Sequence, residues 1–555
     1  MHLFLQISAQ EGIKRRLYGQ FISDLKLLAR FDLEVVGHFM DINLTTRKLP
    51  IGSDILRQIE KYLQDFYGAR EYSKDSNASE NISMNPVCAF RIIRRVKYLL
   101  QNSILKALFR VKFGDELRRI VLFLFKNGWI KTEDFEFIID SILRLASVYN
   151  VDANKFAMGQ ISETHITNST LNSIHCYEIA TVAIQRENFV SAIEWLELAK
   201  EKNLADQLTS LPFVEILLRK AIDEHNMYFE EDLMMDLEPN FFSRKITYMP
   251  NDSKNAIKLQ SLQYEAFKGK KGKRDKYYQV NYLGLCSGRH FQTDEEKLQL
   301  FCWNEFKIHP SFRIGPIKME FWARNPDIVQ IYEILHESEI ETIISDTSPN
   351  MAVSKFVGKK TSTSDGRGAK LEIADRKVRS SVNTWFTGSE SMKLSQKIER
   401  ITGLLAVSPS AAEQLQIASY SLGGHNSPHS DSDELRKVWT EGPRIATFMF
   451  YLNDVEEGGS TAFTSLGVAA KPSKGSALFW YNVFSDGTTD WDVIHGACPV
   501  LIGEKWVANK WIHFYDQFLL RKCGMRRKER FQIPVNNMFE IEVHKLSAST
   551  FPMYL

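Results

Sequence analysis

The stretch Gly424-His425-Asn426-Ser427-Pro428-His429-Ser430-Asp431 sets an imidazole and a carboxylate in a His-x-Asp pair. About 64 residues later a second imidazole follows, in Val493-Ile494-His495. Two histidines and one carboxylate in this order are the ligand set that holds non-haem Fe(II) and leaves coordination positions open for a cosubstrate and O2. Lys505 adds a cation about ten residues past the distal histidine. A single His-x-Asp among 13 histidines carries little weight. A lone His495 on an apolar strand is more often a core side chain than a ligand. The ordered set, with each member on a predicted strand, points to a metal centre.

The flanking residues predict how these groups are held. Leu415 to Tyr420 reads as a strand, and Gly423-Gly424 as a turn that delivers His429 and Asp431 at the start of the next strand. Arg444 to Leu452 is a second strand, closed by Asn453-Asp454 and the turn at Glu457-Gly458-Gly459. Gly475 to Asn482 is a third, and Ile494 to Leu501 and Lys505 to Phe514 form a predicted hairpin around Gly503. Short strands with glycine-rich turns and no intervening helical period predict a closed antiparallel sandwich of the jelly-roll type, with a small-ligand cavity at its mouth. Period two puts Lys505, Val507, Asn509, Trp511 and His513 on one face, and Trp506, Ala508, Lys510 and Ile512 on the other. An ammonium on an inward face needs a permanent anion, or its charge is stranded at a cost on the order of several kcal/mol. A carboxylate of 2-oxoglutarate supplies such an anion. The plainer alternative is a rim lysine at a strand start.

Three runs carry a closer likeness: Arg444-Ile-Ala-Thr-Phe-Met-Phe-Tyr-Leu-Asn-Asp-Val455, Gly475-Ser-Ala-Leu-Phe-Trp-Tyr-Asn482, and His495-Gly-Ala-Cys-Pro-Val-Leu-Ile-Gly-Glu-Lys-Trp-Val-Ala-Asn-Lys-Trp-Ile-His513. On these, residues from about 280 to 525 resemble the catalytic region of collagen prolyl 4-hydroxylase alpha subunits, a family of Fe(II)/2-oxoglutarate dioxygenases. The resemblance implies that His429, Asp431 and His495 bind iron and that Lys505 binds the C5 carboxylate of 2-oxoglutarate. It implies that His513 assists cosubstrate binding and decarboxylation and that Tyr420 reaches the same carboxylate. It also implies hydroxylation of peptidyl proline at C4 in collagen-like X-Pro-Gly sequences, coupled to succinate and CO2, with L-ascorbate restoring oxidised iron. The family's Gly-Gly-Gln-Tyr-Glu-Pro-His-Phe-Asp reads here Gly-Gly-His-Asn-Ser-Pro-His-Ser-Asp. Asn426 thus replaces a tyrosine of the site wall and Ser430 an aromatic between the ligands, which bears on peptide affinity and turnover. His425 reads as a solvated loop residue rather than a fourth ligand.

The chain of 555 residues has room for about three domains. The fold class expected is α+β multidomain, with a helical N-terminal region, a tetratricopeptide-like helical module and a C-terminal double-stranded β-helix, or jelly roll. The expected divisions are 1–155, helical; 165–250, the peptide-binding module; 251–335, a linker region with a disulfide; 336–525, catalytic; and 526–555, a tail. Helix-length apolar patterns at Asp24 to Val36 and Glu133 to Val148 support the first. Asn85 to Arg95 resembles the helix-opening segment of the family's dimerisation region, which implies self-association. In the module, Tyr177, Ile179, Ala180, Ala183 and Ile184 form one stripe, and Phe189, Ala192, Trp195, Leu196 and Ala199 the next. One tetratricopeptide unit is clear, and Asp236-Leu-Glu-Pro239 could close a degenerate second. In the family this module binds proline-rich peptide, although such a stripe is more often core than groove.

With 70 basic and 68 acidic residues, net charge is +2, which argues against an extended nucleic-acid surface. The basic run Lys268 to Lys276 reads as a solvated linker. The resemblance implies disulfides Cys286–Cys302 and Cys498–Cys523, leaving Cys88 and Cys176 as buried thiols, and with them an oxidising compartment, the endoplasmic reticulum lumen. Sequons at Asn43, Asn77, Asn81, Asn168 and Asn251 permit glycosylation. Met1 to Ser8 shows no standard signal peptide, and the run Ile120 to Phe125 is too short to span a bilayer. Pro552-Met-Tyr-Leu555 is no lumenal retention signal, so the family's protein disulfide isomerase subunit is the expected partner. Alternative readings are a divergent enzyme acting on another peptide, a lysyl-type hydroxylase, and a weakly catalytic subunit that binds proline-rich peptide.

Overall fold

The computed structural model describes residues 18–45, 53–68, 85–105, 122–124, 126–206, 213–230, 281–357, 371–373, 378–432, 441–521 and 524–533. Apolar residues at helical spacing build the first half of the chain. Its helices are α1 (Ile22–Thr45), α2 (Ser53–Gly68), α3 (Pro86–Arg94), α4 (Thr132–Val148), α5 (Ser173–Gln185), α6 (Phe189–Asp206) and α7 (Val214–Glu230). Asn85 caps α3 by accepting from the backbone N–H groups of Val87 and Cys88. Pro86 takes the first helical position, where a missing N–H costs nothing. Helices α5 and α6 pack against each other across a short turn. Phe189, Ala192, Trp195, Leu196 and Ala199 are all buried, so this stripe is core and not an open groove.

One hydrophobic cluster runs from Tyr18 through Phe156 and Ile179 to Ala221. The division expected between 1–155 and 165–250 is therefore no break in packing. Within the cluster, fully buried Arg95 meets fully buried Asp32 at 2.6 Å, a pairing that burial of either charge requires. The second stretch offered for a tetratricopeptide unit, Asp236 to Pro239, lies outside the described residues, as do the basic run Lys268 to Lys276, Cys523, Met1 to Ser8, Pro552 to Leu555 and the sequons at Asn77, Asn81 and Asn251. Asn168 is exposed.

The second half is β-rich. Its strands are β1 (Cys302–Glu305), β2 (Ile317–Ala323), β3 (Ile328–Tyr332), β4 (Ala352–Val353), β5 (Arg379–Ser380), β6 (Val382–Phe386), β7 (Leu415–Tyr420) and β8 (His425–His429). They continue with β9 (Arg444–Tyr451), β10 (Glu457–Gly458), β11 (Thr461–Phe463), β12 (Val468–Ala470), β13 (Ala477–Tyr481), β14 (His495–Ala497), β15 (Val500–Ile502) and β16 (Lys505–His513). Among the described residues a nine-stranded sheet has the order β1-β2-β3-β13-β9-β16-β7-β6-β4, and a five-stranded sheet the order β12-β11-β14-β8-β5. Alternation sorts the large sheet's side chains. Ala446, Phe448, Phe450, Trp506, Ala508, Phe479 and Ile417 share one core with α8 (Glu337–Thr347) and α9 (Ser389–Thr402). Met449, Tyr451, Val507, Trp480 and Tyr420 form another with Phe463 and Val468 of the small sheet. The alternation expected along β16 holds, and the architecture is the sandwich expected.

Four details differ from expectation. The region 251–335 is not simply a linker: β1 to β3 extend the large sheet, with β3 paired to β13. No hairpin forms around Gly503; β15 pairs with β10, and β16 lies between β9 and β7 in the large sheet. The chain crosses from one layer to the other at Gly503, whose φ of 92° suits a residue without a Cβ. Cys286 bonds Cys498, not Cys302. Tyr282 donates to the Ala497 carbonyl at 2.7 Å and packs with Leu285, Ala462 and Ala469, which lays Cys286 beside Cys498. Cys302 is a free thiol on the outermost strand of the large sheet. The tail, too, is anchored at its start: Arg530 binds Asp490 and Asp492, and the Ile533 N–H binds Asp327.

The helical half closes on the back of the sandwich. Leu422, Leu501 and Ile502 join its core, Arg144 donates to the Gly423 carbonyl, and Phe21 meets Trp506 edge-on. No described helix is long and apolar enough to cross a membrane.

Candidate active site

Antiparallel pairing of β8 and β14 sets His429 opposite His495. Their rings lie 4.6 Å apart, centre to centre. Asp431 follows the end of β8 and turns inward, its carboxylate oxygens 3.6 Å from Nε2 of each histidine. The three potential ligand atoms all fall within 4.8 Å of one another. The pair therefore stands at the end of β8, not at the start of a strand as the turn at Gly423-Gly424 suggested.

Each histidine is oriented by its own backbone. Nδ1 of His429 lies 2.9 Å from the Ser427 carbonyl, and Nδ1 of His495 lies 3.1 Å from that of Val493. Donation there leaves the Nε2 lone pairs facing Asp431, the tautomer a metal ligand needs. Burial pushes the His495 imidazole down to about 4 against the pull of Asp431, so the ring is neutral at neutral pH. Burial alone would raise the Asp431 carboxyl, but His495, His429 and Arg444 hold it well below the usual carboxylate range. From the facing sheet, Asn482 donates to Thr447 at 2.9 Å, and Thr447 donates to Asp431 at 2.7 Å. This relay was not anticipated. Its signal was present in Thr447, a polar residue on the inward parity of an otherwise apolar strand.

Lys505 opens β16 opposite Tyr420 and is 1% exposed. Its Nζ donates to the Thr461 hydroxyl at 3.2 Å, and Thr461 in turn lies 2.8 Å from the Tyr451 hydroxyl. The rings of Tyr451 and Tyr420 lie 5.4 and 5.9 Å from Nζ. Among the described residues no carboxylate meets this ammonium, and burial pushes its pKa down to about 7. An anionic group entering beside Thr461 would restore the charge. Thr461 is two residues along β11 from Phe463, which faces His495. The lysine head and the triad are thus separated by about 7 Å of strand, a gap that a five-carbon dicarboxylate can bridge.

His513 is not brought to this end. It lies opposite Arg444, eight residues along β16 from Lys505, or about 26 Å of extended strand. There its Nε2 lies 3.8 Å from Glu413, which binds Arg444 at 2.5 and 2.8 Å, and Arg444 covers Trp511 at 3.8 Å. His425 is buried rather than solvated, because it begins β8 paired to Ser380, and it stands apart from the triad. Asn426 places its amide 3.3 Å from His429 Nε2, while Ser430 bonds the Ser432 backbone and so turns away from the site.

A family model described as the 2OG-Fe(II) oxygenase superfamily matches residues 415–513, the span that holds His429, Asp431, His495 and Lys505. A second, for the N-terminal region of the prolyl 4-hydroxylase alpha subunit, matches residues 53–163. Prolyl 4-hydroxylase subunit alpha-1 of Rattus norvegicus is 29% identical over 504 residues, covering 86% of this chain and 91% of its own. That of Gallus gallus is 28% identical over 534 residues, covering 89% and 99%. The chain thus carries both regions of a prolyl 4-hydroxylase alpha subunit and is similar to such subunits over most of its length. It is accordingly an Fe(II)- and 2-oxoglutarate-dependent oxygenase. A solved viral collagen prolyl hydroxylase from Paramecium Bursaria Chlorella virus-1, in complex with 2OG, is 26% identical over 33% of this chain and 94% of that chain, with a TM-score of 0.26. In this prolyl 4-hydroxylase relative the donor set fits the metal: two imidazole nitrogens and one carboxylate on one side leave the other side open. The uncompensated ammonium of Lys505 fits the cosubstrate.

Proposed function

We propose that the chain hydroxylates peptidyl proline at C4 in collagen-like X-Pro-Gly sequences. One oxygen atom of O2 enters proline, and the other enters succinate as 2-oxoglutarate loses CO2. The observation that carries this reading is a three-ligand cluster with, two residues of strand away, a buried lysine that meets no carboxylate among the described residues. His429, Asp431 and His495 would hold Fe(II), which supplies the oxygen activation that side chains cannot. Thr447 and Asn482 keep the Asp431 carboxylate turned to the ligand site. Lys505 and Thr461 bind the far carboxylate of 2-oxoglutarate, with Tyr420 beside them, and so fix which end of the cosubstrate points toward the triad. Apolar Trp480, Phe463, Met449 and Val507 keep water from the space between. L-ascorbate serves to restore oxidised iron.

The remaining parts support the same reading. The helical module around α5 and α6 is the proposed site for proline-rich peptide, and the region ahead of it the proposed contact for self-association. The Cys286–Cys498 bond is consistent with an oxidising compartment, the endoplasmic reticulum lumen, and with protein disulfide isomerase as partner. A divergent peptide substrate is the second reading, favoured by Asn426 at the edge of the metal site.

The test is 2-oxoglutarate decarboxylation by the chain co-expressed with protein disulfide isomerase, with Fe(II), ascorbate and a (Pro-Pro-Gly)-repeat peptide. Peptide-stimulated succinate and a matching hydroxyproline mass shift, both absent in His429→Ala, are expected. Succinate formation that this peptide does not stimulate would turn the search to the second reading.

A further inference from the structure

The segment between β9 and β11 touches both halves of the molecule. On one side it meets the loop that precedes α5. His165 places Nε2 2.7 Å from Glu456 and Nδ1 2.8 Å from Glu457. Ser162 donates to Glu457 at 2.9 Å, and the Thr164 hydroxyl donates to the same oxygen. Only an imidazolium can donate from both ring nitrogens at once. Next along the chain, Gly458 has φ 81°, and a Cβ there would stand 2.5 Å from both the Tyr149 hydroxyl and the Pro499 carbonyl. The chain is thus pressed between the halves at this point. Gly459 then donates to the Pro499 carbonyl at 3.1 Å and backs the lysine, since a Cβ on it would lie 3.5 Å from Lys505 Cδ. Thr461, two residues on, accepts from Lys505 itself. Five residues therefore carry the chain from the His165 contact to the buried cation.

We propose that His165 is a positioning residue for the cosubstrate end of the cavity: held between Glu456 and Glu457, it fixes the segment that sets Gly459 and Thr461 against Lys505, so that the helical half tunes affinity for the dicarboxylate. This rests on the reading in which Lys505 binds that dicarboxylate. The charged groups that face His165 are Glu456 and Glu457 across the interface, with the Ser162 and Thr164 hydroxyls on its own loop. Partial burial disfavours the charged imidazole, but the bonds to Glu456 and Glu457 outweigh it and leave the pKa above the ordinary 6.5. The clasp is then complete below 6.5 and loses a donor as pH rises through the raised value.

The experiment compares the KM for 2-oxoglutarate of the wild type, His165→Ala and His165→Arg in full-length protein co-expressed with protein disulfide isomerase, from about pH 6 to 9. His165→Ala is expected to raise KM about three- to tenfold at the acid end, the scale of a partly exposed ion-pair contact, with kcat at saturation unchanged. His165→Arg, a permanent cation able to bind both carboxylates, is expected to restore the low KM. The ratio of wild-type to His165→Arg KM should then rise with pH. Equal KM for wild type and His165→Ala at every pH overturns the inference. So does a matching loss of kcat in both variants, which marks a purely structural contact. If no variant, nor the wild type, consumes 2-oxoglutarate, the reading of the pocket fails and takes this inference with it, an outcome distinct from an active wild type that is indifferent to His165.

Discussion

At the metal end, Asp431 accepts from the Thr447 hydroxyl and lies 3.6 Å from Nε2 of each histidine, so its carboxylate is held by the chain and turned to the ligand point. At the cosubstrate end, Lys505 is as deeply buried, donates to the Thr461 hydroxyl between two tyrosine rings, and meets no carboxylate among the described residues. One end is prepared by turning two imidazoles and a carboxylate toward one point. The other is prepared by leaving a cation short of an anion. The difference teaches where binding energy comes from: orientation of ligands in the first case, relief of a buried charge in the second.

That contrast can be broken most severely at the metal end. His495→Ala should abolish iron retention and reduce succinate formation to background, as read by metal content and product assay. A variant that keeps full turnover would show that His495 is only a core histidine. At the other end, Lys505→Met should raise the KM for 2-oxoglutarate by thirtyfold or more, given about 2–5 kcal/mol for truncating one partner of a buried charge pair. The same substitution should stabilise the ligand-free fold, since it removes the stranded ammonium. An amine near 7 when folded and 10.5 when unfolded binds fewer protons in the native state, so stability should rise with pH across that window. Thermal melts should show that rise in the wild type without cosubstrate and lose it in Lys505→Met. A smaller effect is expected from Thr447→Val, which leaves every ligand in place but frees the Asp431 carboxylate to turn. Iron affinity or activity should fall about ten- to hundredfold, the range for a group that orients a ligand. Smallest is Tyr420→Phe, for which a rise in KM of about threefold is expected, because one uncharged hydroxyl at the carboxylate contributes about 0.5–1.5 kcal/mol or less.

The site was legible where residue type alone carries the chemistry. His429, Asp431 and His495 come together in one cluster, Lys505 is buried opposite Tyr420, and β7, β9 and β13 fall within the runs read as strands. Inward parity along β16 placed Lys505 among Val507 and its neighbours because the pleat permits only two faces. His513 shares that parity but stands eight residues along the strand from Lys505, beside Glu413 and Arg444: parity says which face a residue takes, not how far along the strand it lies. The loop assignment of His425 failed for a related reason, since a polar residue after two glycines reads as a turn until a partner strand is known. Thr447 and Asn482 were passed over because each is an ordinary residue until the opposite sheet brings Asp431 to it.

Cysteine pairing shows the same limit. The family resemblance implied Cys286 with Cys302, whereas docking of Tyr282 against β14 joins Cys286 to a partner 212 residues away. What the sequence by itself determined is the donor set, its order, the inward cation and the periods of the elements that carry them, because these are properties of residue type and of local repeat. Only the tertiary structure decided that His429 stands opposite His495, that β1 to β3 complete the large sheet, that Lys505 meets no carboxylate among the described residues, and that His165 reaches two glutamates of the other half. Each of those facts depends on register and docking between segments far apart in the chain, and no local pattern encodes them.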